Sequence, residues 1–466
     1  MTFINELISV LNKYLWSYIL IVLLIGLGIY FSFKTRFVQF RYLKEMFRLL
    51  QDGFSKNGKK NGVSSFQAFC ISTASRVGTG NLAGIAIAIS LGGPGAIFWM
   101  WIIAFIGAAS SFVESTLAQV YKVKDKDGTY RGGPAYYMER ALGQKWMGII
   151  FSILIILAFG LILNSVQSNT ITAAFEEAFG INNVVIGIIL TVITFFTIFG
   201  GLKRIAKISG MLVPIMAIAY IIVAIFVIII NIDKIPSVFS LIFQNAFGIK
   251  QAVAGGIGAA LINGIRRGLF SNEAGMGSAP NAAATAEVSH PVNQGLIQTL
   301  GVFTDTIIIC SCTAFIILLS DIDLNGNLTG IKITQNALSS QVGSWGTYFI
   351  AICILLFAFS SIIGNYYYGE ANIEFLSTKK IYLIIYRLSV VAMVFIGSVA
   401  NLNLIWDLAD VFMGFMAIFN LIAITLLSPI AFKVLKDYQK QKNSGITQPL
   451  FKASSIEGLK HADEWK

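Results

Sequence analysis

The chain has 466 residues, of which 56 % are hydrophobic, 13 % aromatic and only 12 % charged, against about 25 % charged in soluble proteins. This excludes a string of soluble domains and predicts an all-α polytopic membrane protein. The net charge of +11 raises nucleic acid as a partner, but the basic residues follow membrane topology instead, as shown below.

In chain order, apolar runs of about 20 residues, enough to cross ~30 Å of hydrocarbon, predict eleven transmembrane helices. They lie near 15–33, 66–90, 96–120, 146–168, 183–200, 208–231, 252–286, 294–319, 346–370, 381–399 and 404–427. The first lacks a basic n-region and a cleavage site, so it is a retained helix and not a signal peptide.

The loops at 34–61, 120–145, 200–207 and 377–380 and the tail from 430 hold 26 of the 34 Lys and Arg residues. Opposite loops hold only Lys13, Lys234, Lys250 and Lys332. This asymmetry predicts the N-terminus outside and the C-terminus in the cytoplasm, with the lipid bilayer as partner and no nucleic acid.

The second and seventh spans are interrupted. Arg76-Val77-Gly78-Thr79-Gly80-Asn81-Leu82-Ala83-Gly84 and Arg267-Gly268-Leu269-Phe270-Ser271-Asn272-Glu273-Ala274-Gly275-Met276-Gly277 put Gly, Asn and charge where an apolar helix should continue. Non-helical backbone at membrane depth must be buried in protein or line a cavity. Each break opens a set of five spans, so the sets enter from opposite sides as an inverted repeat. The expected division is 1–62 as accessory helix and basic loop, 63–232 and 233–430 as the repeats, and 431–466 as a polar, mobile tail.

A broken helix exposes N–H groups that suit a carboxylate and carbonyls that suit a cation. Thr79, Gly80 and Asn81 fit the first task. Close helix packing is the competing reading of Gly78, Gly80 and Gly84. In the second break, Arg266, Arg267 and Glu273 are expected to pair with one another, because unpaired charge at that depth costs several kcal/mol. Ser271, Asn272, Gly275 and Met276 are the candidates for lining the cavity.

Gln167 shares a helix face with Asn164, and Ser361 shares one with Asn365. Ser360 and Ser361 either form a hard-oxygen cation site or bond back to their own helix. Glu114, Asp305, Glu370, Asp407 and Asp410 are candidate ion-path carboxylates or paired helix-end groups. The Gly-Gly-Pro segments at 92–94 and 132–134 read as tight turns. Cys70, Cys310, Cys312 and Cys353 lie in apolar runs without metal-ligand spacing, and the only histidines are His290 and His461. No phosphate loop and no histidine-based triad appear, so the chain is not expected to be an enzyme and no cofactor is implied.

These stretches, with Gly92-Gly93-Pro94-Gly95-Ala96-Ile97-Phe98-Trp99-Met100-Trp101, Arg131-Gly132-Gly133-Pro134-Ala135-Tyr136-Tyr137 and the continuation Ser278-Ala279-Pro280, resemble the alanine or glycine:cation symporter family over nearly the whole chain. The resemblance implies a LeuT-type fold of two five-helix repeats with an extra N-terminal helix, in a bacterial plasma membrane. It implies uptake of small neutral amino acids with Na⁺, or sometimes H⁺. Thr79, Gly80 and Asn81 would receive the substrate carboxylate, and Gln167 would add a hydrogen bond. Similarity to the wider fold puts Na⁺ among the carbonyls of Ala74, Val77 and Phe357 and the hydroxyls of Ser360 and Ser361. Family members that take alanine and glycine often carry Trp where this chain has Asn365, which implies a roomier, more polar pocket and glutamine as a rival substrate. A passive channel and a non-transporting receptor are the other function classes to be tested. Oligomeric state is not set by the sequence.

Overall fold

The computed structural model describes residues 2–55, 62–125, 128–248, 256–320, 322–324, 328–400 and 403–466. Lys250, and residues 252–255 of the seventh expected span, lie outside the described residues.

The described chain is almost entirely helical. The helices used below are α1 (Asn5–Lys34), α2 (Leu43–Ser55), α3 (Ser65–Arg76), α4 (Gly80–Gly92), α5 (Gly95–Val120), α6 (Pro134–Arg140), α7 (Lys145–Phe179), α8 (Asn183–Ile198), α9 (Gly201–Ile230), α10 (Ile235–Ala246) and α11 (Gly256–Asn272). They continue as α12 (Ala279–Ala283), α13 (Pro291–Leu318), α14 (Ile331–Val342), α15 (Trp345–Leu376), α16 (Lys380–Val399) and α17 (Asn403–Asn443). Each expected span has a counterpart. Eight described helices are individually long and apolar enough to cross a membrane. The second and seventh spans are each two consecutive helices, α3–α4 and α11–α12, and α8 is short.

Local sequence explains the main boundaries. Ser64 and Gln67 form a reciprocal capping box that starts α3, with Gln67 N donating to Ser64 Oγ at 3.2 Å and Ser64 N to Gln67 Oε1 at 3.0 Å. The Gly-Gly-Pro segments are turns: Gly93 and Gly133 take φ of 71° and 123°, and Pro134 sits in the first turn of α6. Gly264 and Gly268 let α11 lie close against α5, since a Cβ at Gly268 would stand 2.8 Å from Ile103 Cγ2.

On α9, Met211, Ile215, Ile218, Ile222 and Ile229 are all more than half exposed. They recur at helical spacing and form an outward-facing apolar stripe, as a membrane-spanning helix requires. Segments expected on one side also meet one another. The tail touches the end of α5, the loop after α12 and the end of α6. At the other end, Asn231 bonds Gln341 and Lys332 pairs with Glu177.

The tail departs from expectation. Residues 447–466 pack against the bundle, with Phe451, Ile456, Ala462 and Trp465 buried. Its charged composition suggested mobility, but these four spaced apolar residues anchor it.

Candidate functional site

The first break spans Val77–Thr79. Val77 leaves the helix at φ −83°, ψ 91°, and the chain resumes as a wide π-type turn at Gly80–Gly84. Asn81 closes the gap by its own side chain: its Oδ1 accepts from Gly78 N at 2.9 Å. Its Nδ2 donates to Ser271 Oγ at 3.0 Å and to Asp305 Oδ1 at 2.6 Å. Asp305 lies in a second π-type stretch, Phe303–Cys310 of α13, and also accepts from Ser271 Oγ at 2.7 Å and Thr306 Oγ1 at 2.8 Å. Such widened turns recur at functional sites. The sequence named Asp305 only as one of five carboxylates; its meeting with Asn81 and Ser271 is a long-range contact that no local pattern encodes.

Thr79 N and Thr79 Oγ1 both donate to Gln167 Oε1, at 2.9 and 2.7 Å. This joins α7 to the break. Gly78 and Gly80 serve close approach. A Cβ on Gly78 would overlap Ser361 Oγ, and one on Gly80 would come 2.8 Å from the Phe270 ring. The packing reading thus holds at Gly78 and Gly80; at Gly84 the nearest atom to an added Cβ is Thr79 O, at 3.8 Å.

Beside Gly78, Ser361 Oγ donates toward Ala74 O at 2.8 Å, Phe357 O at 3.0 Å and Val77 O at 3.3 Å. Ser360 Oγ reaches Phe357 O at 2.8 Å and Ala74 O at 3.4 Å. All five groups named for the cation thus converge between the end of α3 and mid-α15. Each serine bonds back to its own helix and also crosses to α3. Neutral hard oxygens of this kind suit a small hard cation.

The second break begins later than expected. Arg267–Asn272 stay helical, and the chain turns at Glu273, Gly275 and Gly277, with φ of 57°, 82° and 82°. Its exposed N–H groups do take a carboxylate, supplied by the protein. Glu114 accepts from Gly275 N and Gly277 N, each at 3.1 Å, and from Asn420 Nδ2 at 2.7 Å. Gly275 is thereby held toward α5 and α17, and Met276 is fully buried. Asn272 Oδ1 caps Ala274 N at 3.0 Å. Of the four second-break candidates, Ser271 hydrogen-bonds the first break directly.

The charged residues here pair differently from the expectation. Arg266 and Arg267 meet Asp410, at 2.8 and 3.4 Å, and their guanidinium groups stack on Trp16 and Trp406. Glu273 takes no part, because its positive φ turns it inward. Its oxygens accept from Ser75 Oγ at 2.7 Å and Ser278 Oγ at 2.6 Å. Ser75 Oγ also stands 2.6 Å from Asn365 Oδ1, so Asn365 faces the first break and Glu273 together. Glu370 pairs with Arg387 at 3.2 Å. No cluster of three or more His, Cys, Asp or Glu suited to a metal occurs among the described residues.

The model of the sodium:alanine symporter family matches residues 1–453. The amino-acid carrier protein AlsT of Bacillus subtilis is 57 % identical over 465 residues, covering all of this chain and 98 % of the relative. A probable sodium/glutamine symporter of the same organism, GlnT, is 59 % identical over 448 residues, covering 96 % and 93 %. Among solved structures, MhsT in complex with L-phenylalanine superposes with a TM-score of 0.58 at 14 % identity, covering 81 % of this chain and 99 % of that one. The fold is of the LeuT type.

Proposed function

We propose, from the premise that this chain belongs to the sodium:alanine symporter family, that it imports small neutral amino acids, alanine and glutamine foremost, with Na⁺ by alternating access. The protein is a membrane transporter and not an enzyme. The observation that carries the reading is the meeting of Ala74, Val77 and Phe357 carbonyls with the Ser360 and Ser361 hydroxyls beside the break. Na⁺ there would neutralise the carbonyl ends that α3 leaves open and stiffen the break. The substrate carboxylate would then take the Thr79 donors from Gln167, with Gly80 admitting it to the backbone.

Cation and substrate favour each other's bound state because both order the same turn. Asn365, Ser75 and Glu273 would face the substrate side chain. The repeats at 63–232 and 233–430 would rock about this site, with the basic end of the bundle in the cytoplasm. The Arg266/Arg267–Asp410 cluster, next to Phe270 and Gly80, would then seal the outer end.

A proton is the second coupling reading. Two fully interior carboxylates, Asp305 and Glu273, form no ion pair with a Lys or Arg among the described residues, and each borders a break. Uptake into proteoliposomes under an imposed Na⁺ or H⁺ gradient tests both. Accumulation driven by neither would overturn symport, and equilibration without accumulation would identify a passive facilitator.

A further inference from the structure

The tail carries a feature that the transport site does not explain. Leaving α17, it crosses the basic end of the bundle and bonds in turn to elements before, within and after the first five spans. Thr447 O accepts from Arg48 Nη2 of α2 at 3.2 Å. Phe451 N donates to Ser289 O at 3.0 Å, on the link between α12 and α13. The Phe451 ring packs edge-on against His290 and Trp465, at 5.1 and 5.4 Å between centroids. Asp463 pairs with Arg140 of α6 at 3.0 Å. Trp465 Nε1 donates to Gln119 O, at the end of α5, at 2.9 Å.

Two further contacts tie this crossing to the first broken span. Lys122 lies beneath the Trp465 ring at 4.7 Å and donates to Ala286 O at 3.0 Å. Glu287 N in turn donates to Val63 O at 3.0 Å, just before α3 begins. A cavity of about 390 Å³ lies under the crossing. Its walls include Ser64, Ser65, Glu287 and Asn293, and Gln448 and Leu450 close it on the tail side.

We infer that residues 447–466 are a strap that holds the basic end of the transport path shut and must let go each time that end opens. The inference rests on the alternating-access reading given above. The tail is bonded both to the first set of spans, through Gln119 and Arg140, and to the second, through Ser289. Rocking of one set against the other strains those bonds. The piece the strap covers, Val63–Ser65, is the entry of α3, whose far end carries the carbonyls of Ala74 and Val77. Strap release therefore bears on the helix half that would hold the cation. The apolar anchors make the strap reversible: Phe451 and Trp465 bury their rings without a covalent tie.

Two measurements on the full-length protein test this. Asn293→Cys places a thiol on the cavity wall, and the four native cysteines are buried. In inside-out vesicles, Trp465→Ala should raise its labelling by a membrane-impermeant maleimide at least fivefold over the Asn293→Cys parent, and an unchanged rate would overturn the strap. Separately, Ser289→Cys with Phe451→Cys should form a disulfide that cuts substrate uptake at least tenfold, with recovery on reduction. Undiminished uptake by the oxidised protein would equally overturn it. Absence of uptake in the parent protein would instead count against symport, and the labelling arm would still decide the strap.

Discussion

Thr79 gives both its backbone N–H and its hydroxyl to one oxygen of Gln167, at 2.9 and 2.7 Å. In the function proposed above, a substrate carboxylate would displace this amide oxygen from the two donors. Gln167→Glu would put a full negative charge there, and charge-assisted bonds are about twice as strong as neutral ones. The expected result is a rise in KM for every amino-acid substrate of more than about tenfold, the equivalent of ~1.4 kcal/mol. An unchanged KM in proteoliposome uptake would remove Thr79 from the carboxylate site.

Ser361 approaches three carbonyls and Ser360 two. A hydrogen-bonding or ligating contact to a charged group contributes about 1.5–3 kcal/mol, so if Na⁺ binds here as proposed, losing one oxygen would weaken its binding by about tenfold or more. Ser361→Ala should raise the Na⁺ concentration for half-maximal uptake by this factor, and Ser360→Ala by less. If H⁺ is the coupling ion, both variants will retain the parent's pH dependence and show no Na⁺ effect.

Asn365 is 1 % exposed, and its Nδ2 has no hydrogen-bond partner among the described residues. Ser75 has one hydroxyl proton to share between Glu273 and Asn365, so this corner holds polar capacity beyond its own needs. Asn365→Trp fills it with apolar bulk. In competition uptake, the preference for alanine and glycine over glutamine should rise about tenfold, the lower end of what one apolar pocket contact contributes. Unchanged selectivity would show that Asn365 does not face the substrate side chain.

The sequence displayed both breaks because they violate a local pattern: Gly, Asn and charge inside an apolar run. It displayed Ser360 and Ser361 as a possible cation pair, but the carbonyls of Ala74, Val77 and Phe357 only through resemblance, and the meeting of the five groups spans nearly 290 residues. It placed the second break too early. Gly268 looks like a helix breaker but packs against Ile103, and the backbone turns where Glu273, Gly275 and Gly277 take positive φ. Asp410 as the partner of Arg266 and Arg267, Glu114 as the filler of the second break, and Ser289 as the dock for Phe451 were not legible. Each joins residues more than 140 positions apart, where periodicity carries no information.

Lys122 lies beyond the end of α5, buried beneath Trp465 and beside Tyr130, with Glu287 and Glu464 acting on it. Burial pushes its amine down to about 7 from the ordinary 10.5, and the two glutamates oppose this. Between those values the folded chain binds fewer protons than the unfolded one, so this group makes stability rise with pH across that window. Below about 7 the full cost of burying the charge remains. Lys122→Met removes the cost. Its apparent Tm should exceed the parent's most at about pH 6.5, and the gap should shrink toward pH 9.5. A gap independent of pH would mean that Lys122 is not held in its neutral form.

The two breaks divide their work, and Glu114 tests the division. In the first break, donors face a replaceable amide oxygen. In the second, Gly275 N and Gly277 N face the buried carboxylate of Glu114, which Asn420 also holds. Glu114→Gln keeps the shape but turns one acceptor into a donor that faces other donors. A buried polar group left unmatched costs about 1–3 kcal/mol, so thermal unfolding should come several degrees earlier, by about 2–4 °C per kcal/mol in mid-sized domains. Uptake of alanine and of glutamine should fall together, with their ratio unchanged, because the variant weakens the scaffold and leaves the pocket's contacts in place. A changed ratio with an unchanged Tm would move substrate recognition to the second break and overturn this assignment.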